Sequence, residues 1–192
     1  MQAAVAYGTL ILTGIVLALL LPFALHRTYL LILSRPRREE VRDPWPESAL
    51  PHVTIQLPIY NEIHVVERLI DAACAQDYPK DRFDVQILDD STDGTVQLAA
   101  QATEVWKSQG VRIEHVRRGT RQGYKAGALA EGCRRSESEF LLVLDADFVA
   151  PPDLIRRTLP PFQDPRVGMV QARWDPLNAD ENWLTRGQSL FL

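Results

Sequence analysis

Asp145 and Asp147 follow the most apolar short run of the chain, residues 140–144. Two carboxylates two positions apart, directly after a buried strand, are costly to desolvate unless something neutralises them. A hard divalent cation with oxygen ligands is the natural partner, and such ions keep coordination places for substrate phosphates. Helix capping would explain one of the two carboxylates, hardly both. A second acidic cluster, Asp89-Asp90-Ser91-Thr92-Asp93-Gly94, closes another β-rich run. Capping needs only one or two of its members. Asp89 and Asp90 precede the helix, in position to hydrogen-bond a base or a ribose. A third stretch, residues 117–127, joins four cations (Arg117, Arg118, Arg121, Lys125) with three glycines in a loop that runs into a helix. Flexible backbone, positive charge and a helix start suit an anion such as diphosphate. It is not a P-loop, because Ala126 follows the lysine where Ser or Thr is required. Metal, diphosphate and nucleoside together are what a nucleotide-sugar transferase needs: positive charge must meet the charge building on the departing diphosphate.

These groups need a scaffold that delivers them to one place. Short β-rich runs alternate with helical stretches. Strands are predicted at 53–57 (ended by Pro58), 83–88, 111–116, 140–144 and 167–172, and helices at about 63–75, 94–109 and 124–135. A further helix is predicted to start near Pro152 and end before Pro160. The run 140–144 is apolar throughout, which predicts a central strand covered on both faces. Such alternation means an α/β fold with a mostly parallel sheet flanked by helices. Sheets of this kind bind ligands outside the carboxyl ends of their strands. Tyr60-Asn61-Glu62, Asp89-Asp90, Asp145-Ala146-Asp147 and Arg173 all fall there, on four separate strands.

Residues 3–25 contain no charged side chain, enough to cross a bilayer as a helix of ~20 residues. Pro22 near its end is tolerable in a membrane. A cleaved signal peptide fits less well, since no basic residue precedes the run and no small-x-small site follows. His26 and Arg27 come next, and Arg35, Arg37, Arg38 and Arg42 follow a second apolar patch at 29–33. The positive-inside rule then puts everything after the helix in the cytoplasm, at the plasma or inner membrane. The expected organisation is a membrane anchor at 1–34, a basic, proline-rich linker at 35–51 and a cytoplasmic domain from 52 to 192. With 24% charged residues and a net charge of -4, the chain does not have the basic balance of a nucleic-acid binder. Cys74 and Cys133 match no metal-ligand spacing and are expected to be buried, reduced thiols.

The motifs Pro58-Ile59-Tyr60-Asn61-Glu62, Leu88-Asp89-Asp90-Ser91-Thr92-Asp93, Gly123-Tyr124-Lys125-Ala126-Gly127-Ala128-Leu129 and Asp145-Ala146-Asp147-Phe148 resemble family 2 glycosyltransferases. Within that family the chain most resembles the cellulose-synthase-like and glucomannan-mannosyltransferase branch. Val170-Gln171-Ala172-Arg173-Trp174, Asn178 and Leu184-Thr185-Arg186 are similar to that branch too. The resemblance runs from about residue 52 to the end. It implies the family's nucleotide-sugar-binding fold and transfer with inversion at the anomeric carbon. Pro58, Tyr60, Glu62, Asp89, Asp90, Lys125 and Asp145 would bind the donor, with Asp89 and Asp90 on its base and ribose. Asp145 and Asp147 would hold Mg2+ or Mn2+ on the diphosphate. UDP-glucose and GDP-mannose are the leading donors, and the acceptor would be a glycan or a lipid.

The family's later acidic motif, whose carboxylate is the general base, has no match here. The resemblance therefore places the general base beyond Leu192, and the domain is expected to be incomplete at its C-terminus and inactive alone. Two other readings compete. Leu144-Asp145-Ala146-Asp147-Phe148-Val149 fits the pattern of a haloacid-dehalogenase-type phosphotransferase, although that motif belongs on a first strand. The other is a fragment that binds nucleotide sugar without turning it over.

Overall fold

The computed structural model describes residues 2–33, 43–172 and 181–189. The chain divides into two compact units, 1–41 and 42–192. The first contains helix α1 (Gln2–Leu33), which takes in both apolar patches and carries Pro22 in its interior. Thr9 and Thr28 donate their hydroxyls to the carbonyls of Val5 and Ala24, one turn back along the helix. At 1.5 Å per residue the helix is roughly 48 Å long. By length and composition it is apolar enough to cross a membrane, with a mean hydropathy of 2.4 over its most apolar 18-residue stretch.

The second unit is built on strands β1 (Val53–Ile59), β2 (Phe83–Asp89), β3 (Ile113–Arg117) and β4 (Phe140–Val143). Helices α2 (Val66–Cys74), α3 (Thr95–Ser108) and α4 (Tyr124–Arg135) connect them. All pairings are parallel and the strand order is β3-β2-β1-β4. Helix α5 (Leu154–Thr158) and helix α6 (Trp183–Ser189) follow. Asn182 starts α6, accepting the amides of Leu184 and Thr185 on its side-chain oxygen.

Alternation along β1 builds the core. Val53, Ile55, Leu57 and Ile59 join the main apolar cluster with Val66, Leu69 and Ile70 of α2 and Val85 and Ile87 of β2. Two alternate positions hold buried polar side chains: Gln56 Oε1 has no partner among the described residues, whereas Thr54 hydrogen-bonds Ser136 and Ser138 at 2.7 Å and Gln56 Nε2 donates to Gln86 across the strands at 3.0 Å. Such pairing is the usual condition for burying them.

Three expectations are corrected. Strand β4 is not central: among the described residues it lies at the sheet edge, with Leu141 43% and Val143 44% exposed. Its composition suits burial on both faces, but α4 packs on β1 and β2 instead. Residues 167–172 form no strand. Val167 and Val170 supply β propensity, yet Met169 is 79% exposed and no partner strand supplies a ladder among the described residues. The helix predicted to start near Pro152 and end before Pro160 is α5, with Pro152 in the turn ahead of it. Cys133 is exposed on α4, and only Cys74 is buried. Burial, with Asp71 adding to it, pushes the Cys74 thiol up to about 12.

Candidate functional site

The chain leaves β1, builds outward through β2 and β3, and returns on the other side of β1 as β4. The carboxyl ends of β1 and β4 therefore splay apart at a topological switch point, where open α/β sheets bind their ligands. A cleft of about 430 Å³ opens there, lined by Pro58, Ile59, Tyr60, Glu62, Leu88, Asp90, Arg121, Lys125, Ala128, Asp145, Ala146 and Asp147. All the sequence-predicted donor and metal residues except Asp89 line it. Arg173 lies outside the described residues, and so does Leu192, beyond which the general base is expected; the last described residue is Ser189. A larger groove, about 710 Å³, runs past the amino ends of the strands, and its charged residues are largely paired with one another.

The two neighbouring aspartates do different work. Asp89 is 1% exposed and is held from two sides. His115 Nε2 donates to Oδ2 at 2.8 Å, and the Ser91 amide donates to Oδ1 at 2.8 Å. Burial raises its pKa, but the hydrogen bonds from His115 and Ser91 outweigh that, leaving the carboxyl below the usual carboxylate range. Asp89 thus shapes the turn, and Asp90 is the one that faces the cleft. Capping of α3 falls to neither, since the Thr95 amide donates to Asp93 Oδ1 at 3.0 Å. Asn61 ties this turn to the end of β1. Its amide donates to Ser91 Oγ at 2.9 Å, and its side-chain oxygen accepts the Thr92 amide at 2.9 Å. Its φ of 56° is a left-handed value that Asn adopts more readily than most residues.

Arg118 forms a second tie. Its Nε donates to Asp90 Oδ1 at 2.9 Å, and its Nη2 pairs with Oδ2 of the same carboxylate. The same guanidinium donates to the carbonyls of Gln122 at 3.0 Å and Tyr124 at 3.1 Å. A bidentate arginine thus links the acidic turn after β2 to the loop that begins α4. That loop is strained: Gly123 has φ 73° and Tyr124 φ 48°. Left-handed backbone costs a residue with a side chain about 1–2 kcal/mol, and the bond from Arg118 to the Tyr124 carbonyl helps to hold it. Gly127 completes the approach, because a Cβ there would lie 2.1 Å from the Gln122 carbonyl oxygen. The resulting turn sets Lys125 against Asp145, and the two form an ion pair.

Asp145 follows β4, whose last ladder step is extended by the Leu144 amide donating to the Gln56 carbonyl at 3.1 Å. The turn is closed by the Phe148 amide on the Asp145 carbonyl, also at 3.1 Å. Asp145 is half-buried and Asp147 exposed. Their oxygen-only donor set fits a hard divalent cation, and the ammonium of Lys125 already marks a place for positive charge beside Asp145. Among the described residues no third His, Cys, Asp or Glu joins them. A cation here would have to share its coordination with a ligand's oxygens.

Sequence reasoning assigned no individual role to Asn61, Arg118, His115 or Gly127. Asn between a strand end and Glu62 was a legible sign of a left-handed turn. The Arg118–Asp90 and His115–Asp89 pairs, 28 and 26 residues apart, had no sequence signal.

Comparison with known proteins gives the geometry its context. A family model described as "Glycosyl transferase family 2" matches residues 54–191. The chain is 44% identical over 150 residues to glucomannan 4-beta-mannosyltransferase 2 of Arabidopsis thaliana, covering 76% of this chain and 28% of that protein. It is 41% identical over 174 residues to glucomannan 4-beta-mannosyltransferase 1 of Oryza sativa subsp. japonica, covering 84% of this chain and 33% of that protein. The chain thus spans about a third or less of these relatives' length. Among solved structures it is similar to the mannosyltransferase PcManGT from Pyrobaculum calidifontis in complex with GDP-Man and Mn2+. There the TM-score is 0.60 and the identity 30%, over 72% of this chain and 40% of that one. The S. aureus TarS structure shares the fold at a TM-score of 0.51 and 22% identity, over 66% of this chain and 23% of that one.

Proposed function

Because the chain belongs to glycosyl transferase family 2, we propose that residues 52–192 bind a nucleotide-sugar donor, GDP-mannose, for inverting transfer to a β-linked glycan. The observation that carries this reading is the convergence of Asp90, Lys125, Asp145 and Asp147 on one cleft from three separate strand ends. The choice of GDP-mannose over UDP-glucose is supported by the mannosyltransferase relatives and by the GDP-Man bound to PcManGT.

In this reading Tyr60, Glu62 and Pro58 border the nucleotide, and Asp90, oriented by Arg118, accepts hydrogen bonds from it. Asp89 contributes by holding the turn that presents Asp90. Lys125 turns from Asp145 to the diphosphate and stabilises the charge that builds there as the sugar bond breaks. Asp145 and Asp147 would hold Mg2+ or Mn2+, which when bound supplies further positive charge to the leaving diphosphate. The base that takes the acceptor proton is assigned to none of the described residues and is sought beyond Leu192. Phosphotransfer from Asp145 is disfavoured by its place after the fourth strand and its pairing with Lys125. Helix α1 serves as the membrane anchor and 35–51 as the linker, with the catalytic unit facing the cytoplasm.

Isothermal titration of the detergent-solubilised chain with GDP and UDP, each with and without Mn2+, tests this. Manganese-dependent binding of GDP, lost in the double variant Asp145→Ala and Asp147→Ala, is the expected result. Preferential binding of UDP would overturn the donor assignment. A folded chain that binds neither nucleotide would sink the donor-site reading.

A further inference from the structure

Of the four cations between the end of β3 and the first turn of α4, three are already engaged. Arg117 donates to the Ser91 carbonyl at 2.7 Å, Arg118 holds Asp90 and two carbonyls, and Lys125 pairs with Asp145. Arg121 differs. Among the described residues its guanidinium has aromatic partners only, lying 3.3 Å from the Tyr60 ring centroid and 5.0 Å from that of Tyr124. It lines the same cleft as Lys125, Asp145 and Asp147.

Stacking uses the face of a guanidinium and leaves its edge, with the N–H donors, available. Tyr60 directly follows β1, whose residues are almost all buried, so its backbone is anchored while its ring, 38% exposed, faces the cleft. The outcome is a planar, permanently charged fork held at the cleft mouth with its donors uncommitted. Such a fork matches phosphate oxygens two at a time, which an ammonium cannot do. A solvated arginine on a surface ring would look similar in isolation. Here the carboxylates of the cleft are nearby and Arg121 pairs with none of them, whereas Lys125 does.

Resting on the donor-site reading, we infer that Arg121 is a donor-binding residue that grips the diphosphate, with Tyr60 as the platform that orients it. Lys125 then acts as the point charge near Asp145, and Arg121 as the fork on the outer phosphate oxygens. Nothing in the nucleoside requires Arg121, so its contribution is confined to the phosphates.

Titration of the detergent-solubilised chain with guanosine and with GDP in Mn2+ separates the two contributions. Arg121→Gln is expected to weaken GDP by about ten- to a hundred-fold, as loss of charge-assisted hydrogen bonds does, while guanosine binding stays within about two-fold. Arg121→Lys should recover part of the loss, because charge returns without the fork. Arg121 is exposed, so thermal melts of both variants should match the wild type. Unchanged GDP affinity in Arg121→Gln would overturn the inference, as would guanosine and GDP weakening together. In either case wild-type binding of GDP would leave the donor site standing; a wild-type chain that binds no GDP would remove both.

Discussion

The two acidic pairs occupy equivalent places, each at the carboxyl end of a parallel strand, yet they are built on opposite plans. Asp89 and Asp90 are enclosed: their side chains are 0% and 6% exposed, and His115, Ser91 and Arg118 satisfy them. Asp145 is 40% exposed, has one ion-pair partner that is itself 53% exposed, and Asp147 stands open. Enclosed carboxylates with fixed partners cannot change partners without a large penalty, so they hold geometry. Exposed ones exchange partners at little cost, which is what a site for a cation and a diphosphate requires. Asp89 is frame, Asp145 and Asp147 are working surface, and Asp90 is a framed carboxylate presented to the cleft.

Replacing Arg118 should break this contrast most severely. Arg118→Met leaves the Asp90 carboxylate enclosed without a counter-charge, and loss of one member of such a pair costs about 3–5 kcal/mol. Thermal or urea denaturation should record that loss together with loss of nucleotide binding. A variant of wild-type stability would show that Asp90 needs no partner.

Asp89→Asn comes next, at about 1.5–3 kcal/mol for a charged hydrogen bond. It also carries a pH signature. The folded-state pKa of Asp89 lies below its unfolded value. Its contribution is therefore fully present above the ordinary carboxylate range and is lost as pH falls through the lower, folded value. Stability measured against pH should fall less steeply on the acid side in Asp89→Asn than in the wild type. Parallel acid limbs would mean that the His115–Asp89 bond adds nothing to folding.

The smallest effect on stability belongs to Asp145→Asn. An ion pair this exposed contributes about 0–1 kcal/mol, so denaturation midpoints should barely move while manganese-dependent nucleotide binding falls sharply. A large loss of stability would place Asp145 in the frame with Asp89 and erase the distinction.

Much of the fold was legible because its signals are local. The apolar periods of α2, α3 and α4 and the β-rich runs of β1, β2 and β3 each report a single element within a few residues. The edge position of β4 was not legible, since five apolar residues in a row suit either a central strand or an edge strand that awaits cover. The absence of a strand at 167–172 has the same cause: propensity is intrinsic, but pairing needs a partner.

What the sequence determined by itself was the chemistry on offer: carboxylates after two strands, a cationic glycine loop before a helix, and an apolar helix at the start. Tertiary structure decided which of these groups is committed and which is available. Asp89 and Asp90 are adjacent and chemically identical, and only His115 and Arg118, brought from more than twenty residues away, send one inward and aim the other at the cleft. Arg118 and Arg121 are both loop arginines, and folding gives one a carboxylate and the other two aromatic faces. The reason is that hydrogen bonding and burial depend on distance in space, which separation along the chain does not reveal.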